Sequence, residues 1–436
     1  MCRRVAAGEG SNFARLERYE DEDVSNNSET SRFHEVLVVA LAFTGFAFGY
    51  AGAYASTSTT FILPLTKEFG WGRIVPSLMY VAAMLGVVIA SFFLGRVIER
   101  LGEARVAALS GVCLAAVMGC LSMLPGSPVI AIGLALLAGL LGAGTGPGLY
   151  IAILPKWFDR HLGRALGIAV IGNSAGAALL PPISAEIIGA HGWRTAYLVL
   201  AAIALSVTLV VAAILAVLSR ARSRAIARSA AVEQDGWSVR DAVRHRNFWL
   251  LQATVYLQTL GMFGVSFHLF PIYHDLGVAW SDLPTVTIAI AVGLAVGRLV
   301  SGFLLDMMEA KWVAAGMFIV GTLAVAWLAT LTAATSPLTI YLLPALIGVA
   351  LGSESDILAY FVRRLFGLRH YAVIYNRLLM AFYLGATTGP LLLGWSFDNL
   401  SQPRLALWGL AASCGIAVIL SLLLPRTRHL SPGARD

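Results

Sequence analysis

Along its length the chain alternates long apolar runs with short polar breaks, and the runs are longer than a buried helix of a water-soluble domain needs. Crossing the roughly 30 Å hydrocarbon core of a bilayer takes about 20 apolar residues in a helix. Twelve runs reach that length, with soft ends at 36–63, 75–98, 106–125, 129–154, 164–188, 194–218, 247–272, 282–305, 313–335, 338–362, 371–394 and 404–424. The strict apolar–polar alternation of a membrane β-barrel is absent. The pattern predicts an all-α polytopic membrane protein with twelve transmembrane helices.

One long polar interruption, 219–246, carries Arg220, Arg222, Arg224 and Arg228 and divides the helices six and six. The expected organisation is a tail (1–35), a six-helix bundle (36–218), the central loop (219–246), a second bundle (247–424) and a closing tail (425–436). The halves share a plan. Gly95-Arg-Val-Ile-Glu99-Arg100-Leu-Gly102-Glu-Ala-Arg105 follows helix 2, and Gly302-Phe-Leu-Leu-Asp306 through Lys311 follows helix 8, with the first glycines 207 positions apart. Pro182 and Pro390 stand 208 apart, and Trp157-Phe158 near Arg164 is echoed by Leu365-Phe366 near Arg369. Duplication of a six-helix unit explains this register, and transporters built that way hold their substrate between the repeats.

Composition agrees: 58% of the 436 residues are hydrophobic and 13% charged, against about 25% charged in soluble domains. Of the 31 Lys and Arg residues, 25 fall in the tails and loops on the N-terminal side of the membrane; Lys67, Arg73, Arg194 and Arg404 fall on the other. Basic loops stay in the cytoplasm, so both termini are expected there. The net charge of +7 is then a topology signal, with no nucleic-acid partner implied. Residues 1–35 lack the apolar core of a signal peptide. Three lysines beside 28 arginines suggest a GC-rich bacterial coding bias, hence a bacterial inner membrane. Cys2, Cys113, Cys120 and Cys414 show no pairing or metal spacing and read as free thiols.

The Gly-x-x-x-Glu-Arg-x-Gly-x-x-Arg loop, its degenerate second copy and the six-plus-six layout resemble the major facilitator superfamily over about residues 33–425. The resemblance implies a secondary transporter working by alternating access, with Glu99 and Arg100 helping to close the cytoplasmic side. On the residues alone, Glu99, Arg100, Arg105 and Asp306 fit equally as anchors of tight turns, while Gly95 and Gly102 permit close helix approach. Trp157-Phe158-x-Arg160-x-x-x-Arg164-Ala-x-Gly167, then Gly172, Gly176, Pro181-Pro182 and Gly192-Trp193-Arg194, look like the monocarboxylate-porter and oxalate/formate-antiporter branch. So does Gly297-Arg298-x-x-x-Gly302. That likeness implies that Arg298 binds a substrate carboxylate. Two departures matter. Helix 1 reads Tyr54-Ala-Ser-Thr-Ser without the lysine of animal monocarboxylate porters, and Leu294 stands where those porters carry an aspartate. Their proton relay therefore does not transfer.

Only Arg298 and Arg377 among the basic residues lie deep in the apolar runs, each at a cost of about 2.5–3.5 kcal/mol on insertion scales. A guanidinium grips a carboxylate with a two-pronged fork, so Arg298 is the first candidate for an anion site; a structural ion pair with helix 10 is the alternative. Glu354 and Asp356, two apart in helix 10, are separated by about 200° and cannot share a face. One is expected to pair with Arg377 as a structural tie and the other to alternate between a proton and Arg298; the sequence does not say which. Histidine is the one side chain that titrates near neutral pH without help; His268 sits toward the outer end of helix 7, as a proton-entry or gating group or a packed histidine. Tyr50, Tyr54, Tyr150 and Asn173 are candidate cavity groups, each with an ordinary packing reading beside it. Gly144-Thr-Gly-Pro147-Gly148 should bend helix 4. No phosphate-binding loop of an ATP-driven pump and no nucleophile or metal constellation is present, so neither enzyme nor cofactor nor metal is expected. A 35-residue tail is too short for a sensor's output domain. The expected function is proton-coupled symport of a small monocarboxylate by a monomer in the lipid bilayer. Alternatives are an exchanger holding a dicarboxylate between Arg298 and Arg377, or an exporter of another small solute.

Overall fold

The computed structural model describes residues 33–71, 74–158, 161–228, 236–278, 283–332, 336, 338–399 and 404–426. Cys2, Arg73, Arg160, residues 229–235 of the central loop and most of both tails lie outside these. Among the described residues there is no strand, only an isolated bridge between Gly236 and Gly367. The helices are α1 (Phe33–Phe69), α2 (Ile74–Leu101), α3 (Glu103–Ser122), α4 (Pro128–Lys156), a continuous stretch Leu162–Arg228, α7 (Arg246–Asp275), α8 (Leu283–Met307), α9 (Ala310–Thr330), α10 (Leu338–Phe366), α11 (Tyr371–Asn399) and α12 (Arg404–Leu422).

The stretch Leu162–Arg228 has 67 residues, about 100 Å at 1.5 Å per residue and far more than a bilayer can hold. It is two helices. Gly192 breaks it with φ 83° and ψ 163°, a conformation only glycine adopts without strain. The halves are α5 (162–191) and α6 (193–228), which makes twelve spans among the described residues. The helix α6 continues to Arg228, past the expected start of the central loop, because Ser219–Arg228 contains no Gly or Pro to stop it. Farther along, Ser238 caps the short helix Val239–Arg244 by accepting the Asp241 N–H at 3.2 Å. The Trp237 N–H donates to the Phe366 carbonyl at 2.9 Å, docking this segment beneath the second half.

Small residues set the close approaches. Gly111 on α3 faces Thr208 on α6, and Gly172 and Gly176 on α5 press on the α1 backbone at Phe43 and Ala47. Between the halves, α2 packs along α11 and α5 along α8. Large apolar side chains such as Phe93, Leu179, Val292 and Leu299 are exposed, as expected where lipid replaces water. Two departures from α geometry face each other inside the first half. The Tyr50–Ser56 segment of α1 is a π-turn, and α4 passes through a 3₁₀ turn at Ala143–Thr145 before restarting at Pro147. The freed Tyr50 N–H donates to Thr145 Oγ1 at 2.9 Å, tying the two irregularities together. Irregular backbone at membrane depth is tolerated where protein or a cavity satisfies it.

Candidate functional site

The face carrying the loops after α2, α4, α8 and α10, called here the basic face, is closed. Gly95 on α2 lies against the backbone of Ala372 and Val373 on α11, and Gly163 on α5 lies against Gly302 on α8. Asp306 accepts the backbone N–H groups of Gly163 at 2.9 Å and Arg164 at 3.2 Å, with the Arg164 guanidinium 3.6 Å away. Those first-turn N–H groups have no partner within their own helix. A carboxylate from the second half thus caps a helix of the first, at the positive end of its dipole. The counterpart is Glu99, whose oxygens lie 3.2 and 3.3 Å from His370 Nδ1, just ahead of α11. Glu99 and Asp306 are 207 positions apart, and so are Gly163 and His370, so the two contacts are pseudo-symmetric copies. Arg100 and Arg105 are exposed, and Gly102 with φ 83° makes the tight turn into α3.

Deeper in the same seam lies Arg298, 6% exposed. Its Nη1 donates to the Val170 carbonyl at 2.7 Å and to Ser174 Oγ at 2.8 Å, both on α5. Its Nε has no partner among the described residues. Asp356, fully buried, lies within electrostatic reach of Arg298. Ser355 donates to its Oδ1 at 3.3 Å, and Ser301 Oγ stands 3.5 Å from its Oδ2. Glu354 projects the other way, into the second half, where Thr259 Oγ1 donates to Oε2 at 3.1 Å. The expected separation of the two carboxylates is what the helix delivers.

Arg377 departs from expectation. No carboxylate pairs with it among the described residues; its guanidinium lies 5.6 Å from the Phe92 ring centre on α2, and Arg96 is its charged neighbour. Sequence adjacency of α10 and α11 suggested a partner on α10, but Arg377 is turned toward α2.

Several buried tyrosines lie near one another. Tyr375 lies within electrostatic reach of Asp356 and Tyr383, and Tyr50 within reach of Tyr54, Tyr80 and Tyr383. Tyr50 and Tyr54 stack at 5.6 Å, and Tyr150 packs on Phe46 at the same spacing. The buried hydroxyls of Tyr50, Tyr150 and Tyr375 have no partner among the described residues. Asn173 is half-buried and is not a partner of Arg298; its neighbour Ser174 is. Toward the face opposite the basic one, a cavity of about 540 Å³ opens between α1, α2, α7 and α11, lined by Ser58, Tyr80, Met84, Phe263, His268 and Thr387 among others. His268 Nε2 is 2.9 Å from the Pro390 carbonyl. The volume suits a small organic molecule. Arg298 is not part of this lining; Tyr80, at the cavity wall, connects it to the tyrosine cluster.

A seam closed at one face, two pseudo-symmetric bundles and a buried polar centre between them are the geometry of a rocking carrier. The sequence model of the Major Facilitator Superfamily matches residues 41–375 and, in an overlapping second match, 274–436. The chain belongs to the Major Facilitator Superfamily. Members of this superfamily are multi-pass membrane transporters, not enzymes. The chain is 27% identical over 281 residues to the "Uncharacterized MFS-type transporter YcxA" of Bacillus subtilis (strain 168), covering 61% of this chain and 64% of that one. It is 27% identical over 158 residues to "Monocarboxylate transporter 13" of Bos taurus, covering 36% and 35%. The chain thus spans less than two thirds of the length of these relatives. Among solved structures, the superfamily's proton:xylose symporter XylE, bound to 6-bromo-6-deoxy-D-glucose, aligns with a TM-score of 0.68 at 14% identity, over 92% of this chain and 97% of that one. That likeness is one of fold.

Several polar groups of this facilitator's centre escaped sequence reasoning: Ser174, Ser301, Tyr375, Tyr383 and Asn376, whose Nδ2 donates across the seam to the Gly148 carbonyl at 2.9 Å. A signal existed for Ser174. Gly163, Gly167, Val170 and Ser174 recur at helical spacing on one face of α5, and the two glycines mark that face as the one pressed against α8.

Proposed function

We propose that this protein is a secondary active transporter of small organic anions, moving monocarboxylates together with protons by alternating access. One observation carries the reading: Arg298, buried in the seam between the halves, is oriented from one edge by Val170 and Ser174 while its Nε–H remains unpartnered. A guanidinium held in that way is prepared for a carboxylate approaching the remaining edge. Asp356 supplies the second element. Desolvation favours a carboxylate's neutral form and a neighbouring guanidinium its charged form, so an anion that engages Arg298 releases Asp356 to take a proton. The partial likeness to a monocarboxylate transporter supports the same substrate class. Exchange of a dicarboxylate needs two cavity arginines, and the position of Arg377 against Phe92 favours symport.

In this reading the basic face is cytoplasmic, as the 25-to-4 division of basic residues argues, and the membrane is the inner membrane of a bacterium. The cavity beside His268 is then the outward vestibule, and the anion passes Tyr80, Tyr50 and Tyr383 to reach Arg298. The proposed path runs between the two halves of a single chain, so a monomer suffices for it. The test is uptake of labelled small carboxylates into proteoliposomes, with and without an inward proton gradient. Accumulation of one acid, abolished by an uncoupler and by Arg298→Gln, is expected. Uptake only into preloaded vesicles would make the protein an exchanger, and no movement of any carboxylate would refute the anion reading.

A further inference from the structure

Arg377 is a charge at membrane depth that the scheme above leaves unused. Its guanidinium carbon lies 5.6 Å from the centre of the Phe92 ring on α2, and that of Arg96 lies 5.9 Å from the same centre. The two like charges act on each other, and among the described residues no carboxylate pairs with either. Arg377 Nε is enclosed and has no hydrogen-bond partner there. The acids of these two helices are engaged or distant: Glu99 on α2 faces His370, and Asp398 on α11 belongs to the opposite end. The shared ring attracts both cations weakly and cancels neither charge.

Placement says where the missing anion comes from. Leu94 and Asn376 both crowd Gly148 on α4, inside the bundle. Phe92 and Arg96 stand two residues either side of Leu94, about 200° around the helix, and both are exposed, as is Phe93. The pair therefore sits on the outer flank of the α2–α11 seam, where lipid lies. The 28 residues of α2 span about 42 Å, the thickness of a bilayer with its headgroups. Arg96 and Arg377 stand about 7–9 Å inside the basic-face ends of their helices, at the boundary where headgroup phosphates meet hydrocarbon. Basic pockets between transmembrane helices suit acidic headgroups, and a guanidinium matches a phosphate with a two-pronged fork. A zwitterionic headgroup would bring its ammonium against two guanidiniums; an acidic one brings only the charge that is missing. We propose that Arg96 and Arg377 form a binding site for the phosphate of an anionic phospholipid in the leaflet at the basic face. Arg96 belongs to the first half and Arg377 to the second, so the lipid clasps the two halves together while that face is closed.

The experiment is thermal unfolding of the purified full chain in detergent, titrated with phosphatidylglycerol or phosphatidylcholine at constant ionic strength. A ligand of the folded state raises the midpoint. Phosphatidylglycerol is expected to raise it saturably by several degrees, with phosphatidylcholine much less effective. Arg377→Gln and Arg96→Gln should each raise the half-saturating phosphatidylglycerol concentration roughly fivefold, the effect of one basic residue at an anionic surface. Arg220→Gln, exposed elsewhere on the basic face, should leave it unchanged. Should Arg377→Gln fail to fold, Arg96→Gln, at an exposed position, carries the test. In nanodiscs, spin labels at the exposed Arg105 and Arg369, one in each half, should report a larger closed fraction when phosphatidylglycerol is present. An equal response to both lipids, a response that survives in both variants, or a label distance indifferent to phosphatidylglycerol overturns the proposal. So does a midpoint raised as far by inorganic phosphate, which would make this a site for a soluble anion.

Discussion

Replacing Asp306 with alanine removes the acceptor shared by the Gly163 and Arg164 N–H groups. Losing a capping side chain costs about 1 kcal/mol and up to 2, and a carboxylate at the positive end of a helix is worth roughly 0.3–1 more. Arg164 adds little, because its side chain is 48% exposed and the contact is 3.6 Å. About 2 kcal/mol favouring the closed basic face therefore disappears, roughly thirtyfold in the closed-to-open equilibrium. An open population of about 1% would rise to roughly a quarter. The pseudo-equivalent contact predicts less. Glu99 and His370 are each 33% exposed, which limits their pair to about 1 kcal/mol, or fivefold. The assay is the distance distribution between spin labels at the exposed positions Arg105 and Arg369, with the native cysteines replaced. Asp306→Ala should add a prominent longer distance, and Glu99→Ala a smaller one. An unchanged distribution in Asp306→Ala, or a larger change in Glu99→Ala, refutes the assignment of the stronger latch to the capped helix.

Ser174→Ala removes a hydrogen bond to the charged Arg298, worth about 1.5–3 kcal/mol; uptake kinetics should show KM raised roughly tenfold or more, with a smaller change in maximal rate. Gly302→Val places a side chain against the Gly163 carbonyl; the same spin-label pair should report a basic face that no longer closes, while membrane insertion persists. Tyr50→Phe, Tyr150→Phe and Tyr375→Phe each delete a hydroxyl without a partner. Their thermal midpoints should be unchanged or higher, and uptake lower, if these hydroxyls serve substrate; a lowered midpoint with normal uptake would assign them to structure.

Most of the fold was legible because hydropathy alone marks a span, and because the 207-residue register survives in Gly95, Glu99, Gly302 and Asp306. The turn at Gly192 was legible as an apolar gap, although the backbone there is nearly continuous helix. The carboxylates were half legible: helix geometry required Glu354 and Asp356 to diverge, but only packing decides which of them meets α8. Ser174 and Tyr375 were hidden because their relevance arises from contacts across the two halves, which no local period encodes. The partner expected for Arg377 failed for the same reason, since neighbours in sequence order need not face each other in a bundle.

The meeting of Gly163 with Gly302 has a mechanical consequence. At that one point backbone touches backbone, so parting it uncovers no side chain and leaves no cavity to be refilled. Resistance to opening at that joint then rests with the polar latches beside it, Asp306 on the Gly163 and Arg164 N–H groups. Such a joint behaves like a door on a smooth sill, and a carrier that must open and shut in every cycle gains from a rim that can part and meet again without repacking side chains.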